Sequence, residues 1–332
     1  MSAARPVLSI VVAVRNQREH NRLFLESLDR YSRLPRELLV VDNGSTDGSP
    51  ELYAAAGARV LPTGGNLCYP EAMNLGLGEA RGAFVGFLNN DIHLGPGWDE
   101  TLVEALEAGP LDVVSPLGLE KMPTAWLTDL FYRRWDVIKR RALATREEDL
   151  RRMLLEMYGD WEVFCATVRE RFKGCLVPGI GGNCVVGRRA TFERLGGWDP
   201  RVQSGDWDLY LRLRQRAEAQ GDVRPAMVVG SAYVHHFVRA TARGERAAFT
   251  CTHPRLSLEQ KWGRTAIQRW WSDPEQVADR PRLGRAPGAY LRFRWSRLER
   301  QWRRAALRVR AHLGGLPGPE CLLQALQAER LA

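Results

Sequence analysis

The sequence predicts an α/β fold with a mostly parallel central sheet flanked by helices, a helical insertion, and a basic helical C-terminal extension. Two observations predict the sheet. Short apolar runs such as residues 7–14 and 38–41 are β-branched, and each is long enough for one buried strand but too short for a helix. They alternate with polar loops and amphipathic stretches at the spacing of βαβ units, whose natural product is a parallel sheet. A third observation predicts the extension. Between Arg280 and Arg310 stand eleven arginines and one acid, Glu299, so the net charge of +9 belongs largely to the C-terminal part.

Residues 7–14 read as the first strand, ended by Arg15-Asn16. A helix follows with Leu25, Leu28 and Tyr31 on one face, and Pro35 closes it. The second strand, Leu38 to Val41, runs into Asp42-Asn43-Gly44-Ser45-Thr46-Asp47-Gly48-Ser49, a loop rich in helix-capping and turn residues. Asp42 stands directly at the strand end. An acid there can accept hydrogen bonds from a base or ribose. It can equally cap the next helix, a task that Ser45 or Asp47 could also take. Ala58 to Leu61 make a third strand. Asn66 to Gly76 then form a loop and a helix whose N-terminus suits a diphosphate.

The fourth strand ends abruptly in Asn89-Asn90-Asp91, where ligands collect in sheets of this kind. A carboxylate there can hold a hard cation, which in turn holds phosphate oxygens. The plainer reading is a polar turn. Neither GxGxxG nor GxxxxGK[ST] occurs, so the dinucleotide and P-loop readings lose their best support. Trp98 starts the next helix, and Asp112 to Ser115 give another strand.

From Leu119 to Lys173 the pattern is helical. Trp126, Phe131, Tyr132 and Trp135 mark an aromatic-rich piece, and Leu150, Leu154, Met157, Trp161, Phe164 and Val168 mark one face of a single long helix. This segment either lies over the acceptor side of a site or packs on the sheet. A glycine-rich run then leads into a strand at Cys184 to Val186 and a helix from Arg188 to Leu195. Asp206 and Asp208 open a further helix. Two apart, they diverge by about 200° around its axis and cannot share one role. Val223 to Val234 form one or two strands ending in His235-His236.

Six scattered cysteines without a CxxC pair argue against a zinc site and a disulfide framework, and favour a reducing cytosol. No signal peptide is expected ahead of residue 7, and no apolar run approaches the ~20 residues that span a bilayer.

In order and spacing, these motifs resemble the family 2 glycosyltransferases of the GT-A fold. The matching parts are the first strand ending in Arg15-Asn16, the Asp42 loop, Asn66 with Ala72-Met73-Asn74-Leu75-Gly76, and Asn89-Asn90-Asp91. Further on, Asp206-Trp207-Asp208-Leu209 resembles the segment that opens a helix in these transferases. The resemblance covers residues 7–241 apart from the 119–173 insertion. It implies a catalytic domain over residues 1–245 and an extension over 246–332.

The implied activity is inverting transfer from a UDP-, GDP- or dTDP-linked sugar to an acceptor hydroxyl, assisted by Mn2+ or Mg2+, in glycan or cell-envelope biosynthesis. By resemblance Asp42 contacts the base, and Arg15, Asn66, Asn74, Asn90 and Arg239 belong to the nucleotide-sugar side. Asp91 ligates the metal with help from His236. Asp206 is the general base, with Trp207 and Asp208 on the acceptor side. Three departures stand out: Cys68 replaces a usual glycine, Asn89 the first acid of the metal motif, and Gly205 a usual glutamate. Asn89 and Gly205 keep alive a second reading, a GT-A-like binding module without turnover. A third keeps the enzyme but gives it a modified nucleic acid as acceptor.

Leu291, Trp295, Leu298, Trp302, Ala306, Val309 and Leu313 recur among arginines as a basic amphipathic helix. That form suits an anionic membrane surface. It also suits packing on the catalytic domain or a twin subunit, with nucleic acid a third partner. The expected setting is the cytoplasm, at the inner face of the membrane if the acceptor is lipid-linked.

Overall fold

Successive residues of a strand point to opposite faces, and β1 (Leu8–Val14) is apolar on both. Leu8, Ile10, Val12 and Val14 enter one core with Val40, Leu88 and Val186, while Val11 enters another with Leu39, Val41, Val85 and Phe87. Such a strand must lie inside a sheet covered by helices on each side. The computed structural model, which describes residues 6–141, 146–238, 248–250, 253–271 and 318–329, contains that sheet.

The sheet comprises β1, β2 (Arg36–Asp42), β3 (Arg59–Pro62), β4 (Phe84–Asn89), β5 (Ile92–Leu94), β6 (Val113–Leu117), β7 (Leu176–Pro178), β8 (Cys184–Arg188) and β9 (Met227–His236). Their spatial order is β3-β2-β1-β4-β8-β6-β9-β5, with β7 also paired to β9. β1, β2, β3, β4, β6 and β9 run one way, and β5, β7 and β8 run against them. The sheet is therefore mostly parallel, as expected. Antiparallel β8 sets Cys184 opposite Leu88, which brings residues 181–183 to the edge where β4 ends. The polar end of β4 thus faces a glycine-rich loop far away in sequence.

On the first face lie α1 (Arg18–Tyr31), α2 (Ser49–Ala55) and α4 (Trp98–Ala108), burying Phe24, Leu28, Tyr53, Trp98 and Leu102. On the second lie α3 (Tyr69–Glu79), α8 (Arg189–Arg194) and α9 (Gly205–Ala219), burying Met73, Phe192, Leu209 and Leu213.

Residues 119–173 carry α5 (Ala125–Arg141), α6 (Glu147–Tyr158) and α7 (Trp161–Arg171). The single long helix read from the sequence is thus two. Gly159 takes φ 69°, a left-handed angle that ends α6, and the Asp160 side chain accepts the Val163 amide at 2.9 Å to start α7. The apolar face survives the break: Leu150, Leu154, Met157, Phe164 and Val168 all enter one core with Phe131, Trp135 and Tyr233. Of the three, α7 packs on β9, while α6 packs on α1, α5 and α7, so the segment meets the sheet chiefly through α7. Its first residues, Glu120 and Lys121, reach the cleft described below.

Beyond β9, α10 (Leu258–Trp270) packs on α9, and α11 (Glu320–Ala328) closes the third core with Leu322 and Leu326. The domain boundary expected at residue 245, the basic helix expected over 291–313 and Arg239 lie outside the described residues. Among the described residues no helix is long and apolar enough to cross a membrane.

Candidate active site

Parallel β1, β2 and β4 end together, with Val14 beside Asp42 and Ala13 beside Asn89. The loops leaving these strands are tied by side chains. Asn16, at φ 56°, accepts the Thr46 amide at 2.7 Å and donates its own amide to the Ser45 hydroxyl at 2.8 Å. Arg15 donates to the Asn43 carbonyl at 3.0 Å. Asp42 is buried and accepts the Ser45 amide at 3.1 Å, while Asp47 accepts the amides of Arg18 and Ser49. Asp42 therefore shapes its own loop, and the helix-start contacts fall to Asp47.

Asn90 is held by buried Asn21, donating to its side-chain carbonyl at 2.7 Å; Asn21 also takes the Tyr53 hydroxyl and donates to Ser49. Nothing in the local sequence marks Asn21 as this hub.

Asp91 is 4% exposed, and its Oδ1 lies 3.2 Å from His236 Nε2, brought there by the pairing of β5 with β9. The other ring nitrogen, Nδ1, lies 2.5 Å from Glu120 Oε1. Burial disfavours the imidazolium, but the two flanking carboxylates outweigh it and raise the His236 pKa well above its ordinary value. Burial likewise opposes ionisation of Asp91, yet the His236 charge and hydrogen bond hold its carboxyl below the usual range. Glu120 was not singled out from the sequence. The signal was available, because it follows the end of β6 in a tight Gly118–Lys121 turn, at a strand end like the other site residues.

Around this corner opens a cleft of about 420 Å³, lined among others by Asn89, Glu120, Asn183, Asp206, Trp207, Tyr210 and His236. Asp206 sits in the first turn of α9. Burial pushes its carboxyl up to about 6, helped by the nearby Glu120 charge and opposed by hydrogen bonds from Trp207 and its own backbone. A carboxylate with that affinity is suited to accept a proton near neutrality. Trp207 is 42% exposed and its ring lies 4.2 Å from Trp271, which follows α10, so the two indoles form one wall of the cleft. Trp271 could be read from sequence only as one of several tryptophans among basic residues.

Two residues expected at the site are engaged elsewhere. Asn74 clamps the backbone of Trp198, donating to its carbonyl at 2.8 Å and accepting its amide at 2.7 Å. Asp208 is fully buried: it accepts from Arg212 at 2.9 Å and Trp262 at 2.8 Å, and Lys261 lies 2.5 Å away. It anchors α10 to α9 and is not part of the cleft lining. Asn66 is buried against residues 248–250, donating to the Ala248 carbonyl at 3.3 Å. Cys68 occupies the position before α3 without capping it through its side chain, and its thiol donates to the Pro200 carbonyl at 3.6 Å. At Gly205 a Cβ would stand 3.0 Å from Trp198 Cε3, so no side chain fits there without movement.

Gly182 lies so close to Asp206 that a Cβ on it would overlap the carboxylate. Gly182→Ala is therefore expected to push the Asp206 carboxylate off its position, and with Asp206 as the base that the family resemblance implies, to lower turnover by about tenfold or more. A steady-state assay of this variant with unchanged turnover would show that the carboxylate need not sit where it does.

The profile described as Glycosyl transferase family 2 matches residues 9–196, more than half of the chain. An N-acetylglucosaminyl-diphospho-decaprenol L-rhamnosyltransferase of Mycobacterium tuberculosis is 27% identical over 265 residues, covering 74% of this chain and 81% of that protein. The O-antigen biosynthesis protein RfbC of Myxococcus xanthus is 26% identical over 250 residues, covering 70% of this chain and 17% of that protein. Among solved structures, the mannosyltransferase PcManGT from Pyrobaculum calidifontis, in complex with GDP-Man and Mn2+, has a TM-score of 0.47 at 18% identity, covering 98% of this chain and 81% of that one. Strand-end polar residues converging on a carboxylate-bearing cleft agree with the profile match, and the chain belongs to the family 2 glycosyltransferases.

Proposed function

We propose that this enzyme moves a hexosyl group of the rhamnosyl kind from a nucleotide sugar to a hydroxyl of a polyprenyl-diphosphate-linked saccharide, with inversion. The observation that carries the reading is Asp206, a carboxylate of raised proton affinity sharing one cleft with Asn89, Glu120 and His236. The choice of sugar and acceptor follows the mycobacterial relative, a rhamnosyltransferase named for a decaprenol-linked acceptor.

In the proposed step, the acceptor oxygen attacks the anomeric carbon as the bond to the diphosphate breaks. The acceptor proton passes to Asp206, which must sit on the face opposite the leaving group. The Trp207–Trp271 wall offers an apolar face against which a sugar ring can lie. Arg15, Asp42 and Asn90 remain the donor-side assignments, at the common edge of β1, β2 and β4.

Among the described residues no three His, Cys, Asp or Glu side chains form a metal-holding group. A cation held by one or two protein ligands takes diphosphate oxygens and water to complete its shell. Asp91, and His236 once the ion displaces the proton from Nε2, would hold Mn2+ or Mg2+ in this way, and the ion would offset charge on the leaving diphosphate. Asp91→Ala is expected to abolish the metal-dependent rise in Tm that a nucleotide sugar gives; a rise equal to wild type would refute the ligand assignment.

The deciding assay incubates the protein and Mn2+ with dTDP-L-rhamnose, or with UDP- and GDP-sugars, and a polyprenyl-diphosphate-linked N-acetylglucosamine. Failure to glycosylate it from any of these donors would refute the proposed reaction.

A further inference from the structure

Tyr69 opens α3 and lines the same cleft as Asp206. Its hydroxyl oxygen is buried and has no hydrogen-bond partner among the described residues. Buried hydroxyls are nearly always paired, because hiding one from water without a partner costs free energy. The ring is not free to carry the hydroxyl out to solvent. It stands edge-on to Trp198, at 5.4 Å between centroids and 85° between planes, and Asn74 holds the Trp198 backbone on both sides. A hydroxyl held in this way at the edge of a cleft finds its acceptor in water or in a ligand that fills the cleft.

We propose that the Tyr69 hydroxyl contacts substrate, donating a hydrogen bond to an oxygen of a sugar ring bound beside Asp206. The chemistry of the lining selects the ligand class. The lining sets Lys121 and His236 against Glu120 and Asp206, and the amides of Asn89, Asn183 and Gln203 beside them suit neutral hydroxyls. Burial first, and then the Asp206 charge, raise the phenol's pKa, so Tyr69 stays protonated and acts as a donor, never as a base. The proposal rests on the glycosyltransferase reading but adds a residue that the family resemblance did not supply. Either the donor sugar or the acceptor sugar can provide the oxygen.

Tyr69→Phe tests this by removing the hydroxyl alone. With dTDP-L-rhamnose and polyprenyl-diphosphate-linked N-acetylglucosamine, kcat/KM is expected to fall about tenfold, the scale of one hydrogen bond lost to substrate. The Tm of the free protein should match or exceed wild type, because an unpaired buried group has gone. A rise in donor KM assigns the contact to the transferred sugar, and a rise in acceptor KM assigns it to the acceptor. Values of kcat/KM within about twofold of wild type for both substrates would overturn the proposal, as would a Tm drop of more than about 2 °C, which would mean the hydroxyl is already paired in the free protein.

A wild-type protein that binds a nucleotide sugar in thermal shift but transfers nothing would refute the proposed reaction, not Tyr69. The ligand-induced Tm rise then decides: a smaller rise in Tyr69→Phe supports the contact, and an equal one overturns it. Neither binding nor transfer by wild type would remove both.

Discussion

Asp206→Asn is expected to reduce transfer by about 10²–10⁴, the usual contribution of a positioned acid or base, without lowering stability at neutral pH. Asparagine keeps the shape and loses the proton acceptor. The sign of the stability effect follows from linkage. Folding raises the Asp206 pKa from 3.8 to about 6, so the folded state holds that proton more tightly than the unfolded chain. The stabilisation that this gives is complete below about 3.8 and is lost as pH rises through about 6. At pH 7.5 the ionised carboxylate is a net cost, and Asp206→Asn should melt at or above the wild-type temperature. For wild type, kcat/KM should fall about tenfold per unit below pH 6, and the residual activity of Asp206→Asn should lack that slope. A variant that keeps more than about a tenth of wild-type turnover would remove Asp206 from the role of base.

Asp208→Ala is expected to do the opposite, lowering stability by about 3–5 kcal/mol, the range for removing one partner of a buried ion pair. Asp208 is fully buried, and Arg212 and Lys261, each about 15% exposed, converge on it with the Trp262 indole. Removing the carboxylate takes one acceptor from two cations and the acceptor of an indole N–H, although Lys261 keeps Asp199 at 2.7 Å and Arg212 keeps the Leu195 carbonyl at 3.1 Å. Since Lys261 and Trp262 belong to α10, that helix should detach first and carry Trp271 away from Trp207. Tryptophan fluorescence should shift to the red in a transition that precedes global unfolding. Asp208→Asn, which keeps an acceptor oxygen without the charge, should fall between the two. A stability loss under about 1 kcal/mol with a large rise in acceptor KM would return Asp208 to the acceptor side, where the family resemblance had put it.

These two aspartates show how far the sequence could be read. Helical spacing put them on divergent faces, and the motif around them made Asp206 the candidate base. Nothing within reach of that motif identified Lys261 and Trp262, more than fifty residues on, as the partners that bury Asp208. Glu120 is a similar case. Its strand-end position was legible, but its place between His236 and Asn183 follows from the antiparallel entry of β8 and the pairing of β9 with β5. For Asn74, a polar residue in a motif that resembles the family 2 glycosyltransferases read as a ligand contact, and the fold uses both its amide atoms on Trp198. Two-sided polar side chains are ambiguous until their neighbours are known.

By itself the sequence determined the elements and their sidedness. Short continuous apolar runs specify strands buried on both faces, stripes of three and four specify helices, and polar residues at run ends specify an edge where ligands gather. Those are local properties, fixed by backbone geometry and by which side chains avoid water. The family resemblance had already joined Asp91 to His236; the tertiary structure alone decided that Glu120 meets them, that Gly182 lies against Asp206 and that Trp207 stands against Trp271. Hydrogen bonds and ion pairs act over a few ångströms, so their partners depend on strand order and helix docking, which no local pattern encodes.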